Sequence, residues 1–478
     1  MSDLLDFFQH IIEWCIQYID EPLWSIVIIM LLGVGLFFTL TTGFVQLRLF
    51  PQSLREMWFG REAAEHALTP FQAFATGLAS RVGVGNVSGV ATAIALGGPG
   101  AVFWMWLVAF MGMSSAFAES SLAQLFKIQD KDGSYRGGPA YYISMGLKSR
   151  CMAVAFAVTL IFTFGFAFNA VQSNSIVEAT RNAWGWNAHY VGVVLVVLSG
   201  VIIFGGVKRI GVVSARFVPL MALFYLLTTA IIIGMNIEKL PSVFKLIFTS
   251  AFDFSAMAGG MFGAMFSKAM LMGIKRGLFS NEAGMGSAPN AAATAEVKHP
   301  VNQGLIQMLG VFVDTMMVCT CTAMIILLSD NYGSASLQSI SLTQNALSYH
   351  IGEFGVHFLA LILLFFAFSS IIGNYAYAES NMRFLKNKTW AVVLFRLVVL
   401  FFVYFGAVNS GSIVWAFADT VMGSMALINL IALLALSPLV WILLKDFQKQ
   451  LKAGHEPEFK IDHYPALKKR GVDPRLWK

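Results

Sequence analysis

GLASRVGVGNVSGVA, residues 77–91, lies inside a stretch, Phe71 to Gly98, that is otherwise apolar enough to cross a bilayer. Yet it carries glycines at 83, 85 and 89, an asparagine at 86 and an arginine at 81. An internal Gly costs roughly 0.8–1 kcal/mol against Ala in a helix. An arginine near mid-bilayer costs about 2.5–3.5 kcal/mol on insertion scales. A helix that unwinds around Val82–Gly85 accounts for both. Backbone groups freed there cannot face hydrocarbon; they must be buried in protein or line a wet cavity that a ligand fills. The freed N–H groups opening the second half-helix suit a carboxylate. The freed carbonyls closing the first half, with Asn86 and Ser88 nearby, suit a small cation such as Na⁺. The competing reading is close helix packing alone, since Gly77, Gly85 and Gly89 fall at helical spacing. A dinucleotide loop is excluded, because GVGNVS lacks the third glycine and any βαβ context.

The rest of the chain fits a membrane setting. Of 478 residues, 57% are apolar and 12% charged, against about 25% charged in soluble domains. Continuous apolar runs exclude a β-barrel. Eleven membrane segments are expected near 23–43, 72–97, 100–126, 152–180, 188–206, 212–235, 256–286, 301–328, 351–382, 389–407 and 412–444. Residues 1–22 read as an acidic, amphipathic interfacial segment, residues 23–71 as an extra helix with its loop, and 445–478 as a charged tail too short for a core of its own. With the N-terminus outside, twenty-four of the 32 Lys and Arg residues fall on cytoplasmic connections and three on external ones. The positive charge is therefore topology and attraction to membrane lipids, not nucleic-acid binding. The cysteines lack metal or redox spacing, and Cys319 and Cys321 read as small apolar fillers.

Without the first helix, ten segments divide into two five-helix halves, 72–235 and 236–444, of opposite orientation. Each half opens on a glycine-interrupted segment, which is the sequence pattern of a secondary-transporter binding site. The second interruption is expected within 259–290, where Ser267 and Lys268 are polar at mid-run. Lys275, Arg276, Asn281 and Glu282 read as an inner gate or cytoplasmic cap, or else as a solvated helix end. Intramembrane carboxylates are functional candidates by default, so Glu119 and Asp314 are expected as partners of Arg81 or Lys268, as ion ligands or as proton sites. Gln172 and Asn174 on the fourth segment either contact a polar ligand or bond between helices. Ser369, Ser370 and Asn374 lie on the ninth, where paired hydroxyls suit Na⁺.

GGPGAVFWMWLVAFMG (97–112), RGLFSNEAGMGSAP (276–289), HPVNQG (299–304) and FVDTMMVCTCTA (312–323) resemble, in the same order, blocks of the alanine/glycine:cation symporter family, also called the sodium:alanine symporter family. The resemblance covers about residues 20–450. It implies an all-α polytopic membrane protein with the leucine-transporter-like five-plus-five inverted repeat, two broken helices and one extra N-terminal helix. It implies backbone binding of a substrate carboxylate at Gly83, Val84 and Gly85 beside Asn86, with Gln172 as a substrate contact. It implies a sodium site of the Ala79 and Val82 carbonyls with the Ser369 and Ser370 hydroxyls. Gly263 and Ser267 are the candidates on the second broken element. The chain departs from the family pattern in three places: Ser80-Arg81 where Gly-Thr is expected, Val84 for Thr, and Asn374 for Trp. The last change predicts a substrate larger or more polar than glycine, such as glutamine or asparagine.

The reading is a multi-pass carrier of the cytoplasmic (inner) membrane that imports small neutral amino acids with Na⁺ by alternating access. Its N-terminus is external and its C-terminus cytoplasmic, and it has no cofactor beyond the coupling ion. One alternative is a Na⁺-independent or H⁺-coupled carrier in which Arg81 replaces the ion. A non-transporting amino-acid sensor is a remoter one. An intramembrane enzyme is disfavoured, because no nucleophile–base pair or metal cluster is visible at membrane depth.

Overall fold

A computed structural model describes residues 19–59, 67–130, 133–253, 267–329, 332 and 339–477. The expected interfacial segment falls mainly outside these residues, as do Cys15 and Gly263. The chain runs through α1 (Glu21–Thr41), α2 (Phe50–Phe59), α3 (Pro70–Arg81), α4 (Gly85–Gly97) and α5 (Ala101–Leu125). A two-stranded hairpin follows, β1 (Ile128–Gln129) and β2 (Tyr135–Arg136), then α6 (Pro139–Gly146), α7 (Arg150–Trp184), α8 (Ala188–Ile203), α9 (Gly206–Met235) and α10 (Leu240–Ala251). The second half holds α11 (Lys268–Asn281), α12 (Pro300–Leu327), α13 (Ser339–Ile351), α14 (Phe354–Leu385), α15 (Thr389–Val408) and α16 (Gly411–Lys452). Among the described residues, eight helices are long and apolar enough to cross a membrane: α1, α5, α7, α9, α12, α14, α15 and α16. The pair α3–α4, together with α8 and α11, are shorter apolar or interrupted helices.

Local chemistry sets the boundaries. Thr69 opens α3 as half of a capping box: its hydroxyl accepts from Gln72 N and its own N–H donates to Gln72 Oε1, with Pro70 at the first helical position. Gly185, at φ 68°, ends α7, and the Asn187 side chain accepts from His189 N to start α8. Both α7 and α12 contain a π-helical stretch, at Ile161–Ala167 and Phe312–Cys319. Such widened turns tilt side chains off the regular helical register.

The bundle has two ends, the start side where α1 begins and the tail side where α16 finishes. On the start side, α10 lies against the beginning of α5, with Trp104 Nε1 donating to Ala251 O and Phe103 packed on Phe248 and Phe252. On the tail side, Leu68 pairs with Ala295. The tail has no core of its own, but it is not free in solvent. Phe459 N donates to Lys298 O and Ile461 N to Trp477 O. Trp477 is buried and covers the Lys127 ammonium at 4.9 Å, with Tyr135 on it at 4.3 Å. Lys127 Nζ donates to Ala295 O, 3.0 Å away. Burial pushes the Lys127 ammonium down to about 7, against the opposing pull of Glu296. Burial likewise lowers His299, although Asp446 beside it at 3.1 Å works to raise it.

Candidate functional site at the two interrupted helices

Helix α3 ends at Arg81, Val82 is extended (φ −75°, ψ 92°), and the chain re-enters helix through the π turn Gly85–Gly89. In an unbroken helix Gly83 N would bond Ala79 O, and Asn86 N would bond Val82 O. Here Gly83 N donates to Asn86 Oδ1 (2.9 Å) and Asn86 N to Gly83 O (3.3 Å). The Ala79 and Val82 carbonyls are thereby diverted from the helix. Both face Ser370 Oγ of α14, at 2.9 and 3.4 Å, and Phe366 O lies 3.1 Å from the same hydroxyl. One hydroxyl proton cannot satisfy three carbonyls, which leaves a concentration of unmet oxygen lone pairs suited to a small cation. Ser369 donates to Phe366 O of its own helix. Val84 N donates to Gln172 Oε1 of α7 at 3.1 Å. A Cβ on Gly83 would sit 2.2 Å from Ser370 Oγ and 2.9 Å from Gln172 Oε1. So α3, α7 and α14 meet at Gly83 because nothing larger than hydrogen fits there.

Gly85 abuts α11: a Cβ there would come 2.9 Å from Ser280 Cα and 3.0 Å from the Phe279 ring. Asn86 Nδ2 donates to Asp314 Oδ1 (2.7 Å), and Ser280 Oγ and Thr315 Oγ1 donate to Asp314 Oδ2 (2.9 and 2.8 Å). Cys319, expected as a filler, joins this polar cluster, with its Sγ 3.3 Å from Asn86 Nδ2 and 3.1 Å from Ser280 Oγ. Asn174 bonds between helices, donating to Gly406 O and Asn409 O.

The second interruption, among the described residues, lies after α11. Glu282 (φ 59°), Gly284 (81°) and Gly286 (85°) take left-handed conformations. Glu119 of α5 is the template for this loop: Oε1 accepts from Gly284 N (3.2 Å), and Oε2 from Gly286 N (3.1 Å) and Asn429 Nδ2 (2.8 Å). It makes no direct pair with Arg81. Glu282 reaches back to the first break, with Oε1 2.7 Å from Ser80 Oγ and Oε2 accepting from Ser287 Oγ at 2.6 Å. Asn374, too, meets Ser80, at 2.6 Å, and its Nδ2 donates to Asn169 Oδ1 at 3.1 Å.

Three expectations are corrected. Ser267 is not at the break. It caps the start of α11 by accepting from Met270 N, and thirteen residues at about 1.5 Å each put it roughly 20 Å along the helix from Ser280. Lys268 is not a mid-membrane partner: it is exposed at that same helix end and has no ion pair among the described residues. Lys275 and Arg276 are not a solvated helix end; they are buried on the side of the bundle away from the tail. Arg276 makes a two-pronged pair with Asp419 (3.0 and 2.7 Å), and Lys275 lies 2.7 Å from Asp20 and 3.1 Å from Asp419. Asp20 precedes α1 and Asp419 is near the beginning of α16, so this buried cluster closes the start side. Arg81 makes no direct carboxylate contact among the described residues. Its Nη1 donates to Gln307 O at 3.3 Å, and its Nε and Nη2 have no partner there although the side chain is 2% exposed.

A model of the sodium:alanine symporter family matches residues 9–461. A Haemophilus influenzae protein named an uncharacterized transporter is 73% identical over 98% of both chains. The probable sodium/glutamine symporter GlnT of Bacillus subtilis is 46% identical over 95% of this chain and 94% of its own. The sodium/alanine symporter AgcS of Methanococcus maripaludis is 40% identical over 86% of this chain and 92% of its own. An all-α, multi-pass membrane protein with this sequence, built around interrupted helices, is a transporter and not an enzyme, and the chain belongs to the sodium:alanine symporter family.

Proposed function

We propose that the chain imports a small neutral amino acid of the alanine/glycine class, or glutamine, together with Na⁺, by alternating access around its two interrupted helices. The observation that carries this reading is the convergence of the Ala79 and Val82 carbonyls on Ser370 Oγ, one residue from the Gly83 and Val84 amides. Cation oxygens and carboxylate-binding amides lie together between Ala79 and Val84, so each ligand stabilises the other by charge. The amides are held by Asn86 and Gln172, uncharged acceptors that a carboxylate would displace to form stronger, charge-assisted bonds.

Arg81 as a replacement for the ion is less well supported. Its guanidinium bonds Gln307 O on α12, whereas the oxygen cluster faces α14. The Asn374 expectation changes as well. Both ends of that amide are engaged by Ser80 and Asn169, so the residue would widen the site more than it would offer it bonds. An inner-membrane location with the N-terminus external fits the charge bias of the connections. One Na⁺ moving inward contributes about 2.3 kcal/mol per 100 mV.

The test is uptake of labelled alanine, glycine and glutamine into proteoliposomes under a Na⁺ gradient, with a choline control at matched pH and potential. The expected result is Na⁺-dependent uptake of at least one of the three, with the Na⁺ requirement raised tenfold or more in Ser370→Ala. Uptake indifferent to Na⁺ would overturn the coupling.

A further inference from the structure

Three carboxyl groups are buried around the interrupted helices, and their hydrogen bonds differ in kind. Asp314 is met by donors alone, from Asn86, Ser280 and Thr315. Glu119 is met by donors alone, from two backbone amides and Asn429. Both are satisfied as carboxylates. Glu282 is not, and the reason can be followed atom by atom.

Asn169 Nδ2 donates to Gly165 O, one turn back in α7, at 3.1 Å. A carbonyl accepts only, so the Asn169 amide is fixed with its Oδ1 outward. That oxygen faces Asn374, which must present its own Nδ2, 3.1 Å away. Asn374 therefore turns Oδ1 toward Ser80, at 2.6 Å. Two oxygens this close need a proton between them. An amide oxygen has none to give, so the single proton of Ser80 lies on the Asn374 side. Ser80 Oγ is also 2.7 Å from Glu282 Oε1. The hydroxyl has no second proton, so the one in that contact belongs to the glutamic acid. Ser287 donates to the other oxygen of Glu282 and completes the set. Flipping either amide would set two oxygens or two amide nitrogens against each other, so the direction of the chain is determined from Gly165 to Glu282.

We propose that Glu282 carries a proton in this conformation and gives it up when the two interrupted helices part, which makes it the proton-exchange group of the carrier. The exchange step rests on the alternating-access reading above; the protonation does not. On separation Ser80 no longer accepts from the acid. The O–H bond of Glu282 breaks, its electron pair stays on the carboxylate, and the proton passes to water. A cavity of about 190 Å³ on the tail side, lined by Thr76 of α3, Asn290 and Tyr377, stops short of Glu282, so it is the parting of the helices that would admit this water. The charged and titratable groups facing Glu282 are Arg81 from α3, Asp314 from α12 and Tyr377 from α14, with Glu119 beneath the same loop. With Glu282 neutral, Arg81, Glu119 and Asp314 sum to one negative charge, which one Na⁺ at the adjoining oxygens cancels. An ionised Glu282 adds a second negative charge, facing an Arg81 whose Nε and Nη2 are unpartnered among the described residues.

The experiment has two arms. Infrared spectra of the purified full chain in detergent, wild type against Glu282→Gln, are expected to show a protonated-acid carbonyl band that is present only in the wild type and moves in D₂O. Ser80→Ala, which removes the acceptor of that acid proton, is expected to shift the band without abolishing it, and serves if the glutamine variant does not fold. Loss of carboxylate bands in place of the acid band would overturn the assignment. In the second arm, vesicles with a trapped pH dye and a clamped potential report lumenal pH while labelled alanine, glycine or glutamine is counted. The expected result is a pH change that tracks uptake in the wild type and is at least tenfold smaller per substrate moved in Glu282→Gln. Uptake with no pH change overturns the exchange step. Absence of any uptake overturns the transport reading instead, and the infrared arm still decides the protonation.

Discussion

Replacing Gly83 with alanine would place a methyl carbon 2.2 Å from Ser370 Oγ, 2.9 Å from Gln172 Oε1 and 3.2 Å from Ser370 Cβ. The first of these contacts cannot be accommodated without turning the serine away. Turning it gives up a hydrogen bond at 2.9 Å to Ala79 O and the contacts at 3.1 and 3.4 Å to Phe366 O and Val82 O. At about 0.5–1.5 kcal/mol for a net hydrogen bond, and with bare carbonyls left behind, the substitution costs about 2–3 kcal/mol. In a Ser370→Ala background the atom at 2.2 Å is gone and only the milder contacts remain. The two substitutions therefore couple by about 1–2 kcal/mol, as expected for residues in direct contact. The assay is a double-substitution cycle read by unfolding of purified protein in sodium-free detergent, so that cation binding does not enter the comparison. If Gly83→Ala costs the same with and without the Ser370 hydroxyl, the serine is not seated at the break and the proposed cation site loses its third oxygen.

Three further outcomes follow from the geometry. Asp419→Asn leaves Lys275 and Arg276 without their shared carboxylate, and breaking a buried pair costs about 3–5 kcal/mol; pairing it with Arg276→Gln is expected to recover at least half of that in the same unfolding assay. Gly286→Ala, at φ 85° with Asn429 Cγ and Pro139 Cγ both 2.8 Å from the new carbon, costs more than about 2 kcal/mol, whereas Gly33→Ala in α1, with nothing within 4 Å, is neutral or gains up to about 1 kcal/mol. Lys127, held at about 7 when folded against about 10.4 unfolded, binds fewer protons in the folded state between those values, so the docked tail gains stability as pH rises from about 7 toward 10. Limited proteolysis of residues 454–477 is therefore expected to slow from pH 7 to pH 9, and Lys127→Met to abolish that dependence.

Much of this was legible from residue types. The first break announces itself because three glycines, an asparagine and an arginine in one apolar stretch are costly together unless the helix opens, and the structure interrupts it at Val82, within the expected window. The second was harder to place. Glycines at 259, 260, 263, 273, 277, 284 and 286 all look alike in sequence, but those at 273 and 277 serve close packing, against Ala101 O and Val108, while those at 284 and 286 take left-handed turns. Only a packing partner tells these uses apart. The side of the bundle closed by Lys275 and Arg276 was hidden for a similar reason: their acids, Asp20 and Asp419, are distant in sequence, and helix α11 delivers the cations more than one turn before it breaks. Glu119 was legible as important but not as the mould of a loop, because its main partners are backbone amides, which every residue but proline possesses.

The Ser80–Asn374 contact also changes how two departures from the family pattern are to be counted. Position 80, where glycine is the expectation, and position 374, where tryptophan is, lie 294 residues apart and would be tallied as separate substitutions. In this fold they are coupled, and the coupling runs one way. An asparagine at 374 escapes burying a bare oxygen only if a donor stands at 80, whereas a serine at 80 without it can still give its proton to Glu282. Asparagine at 374 ahead of serine at 80 would pass through an intermediate with an unpaired polar atom in a buried site. Lineages should therefore gain the serine first or both together, and asparagine at 374 should be rare among relatives that keep glycine at 80.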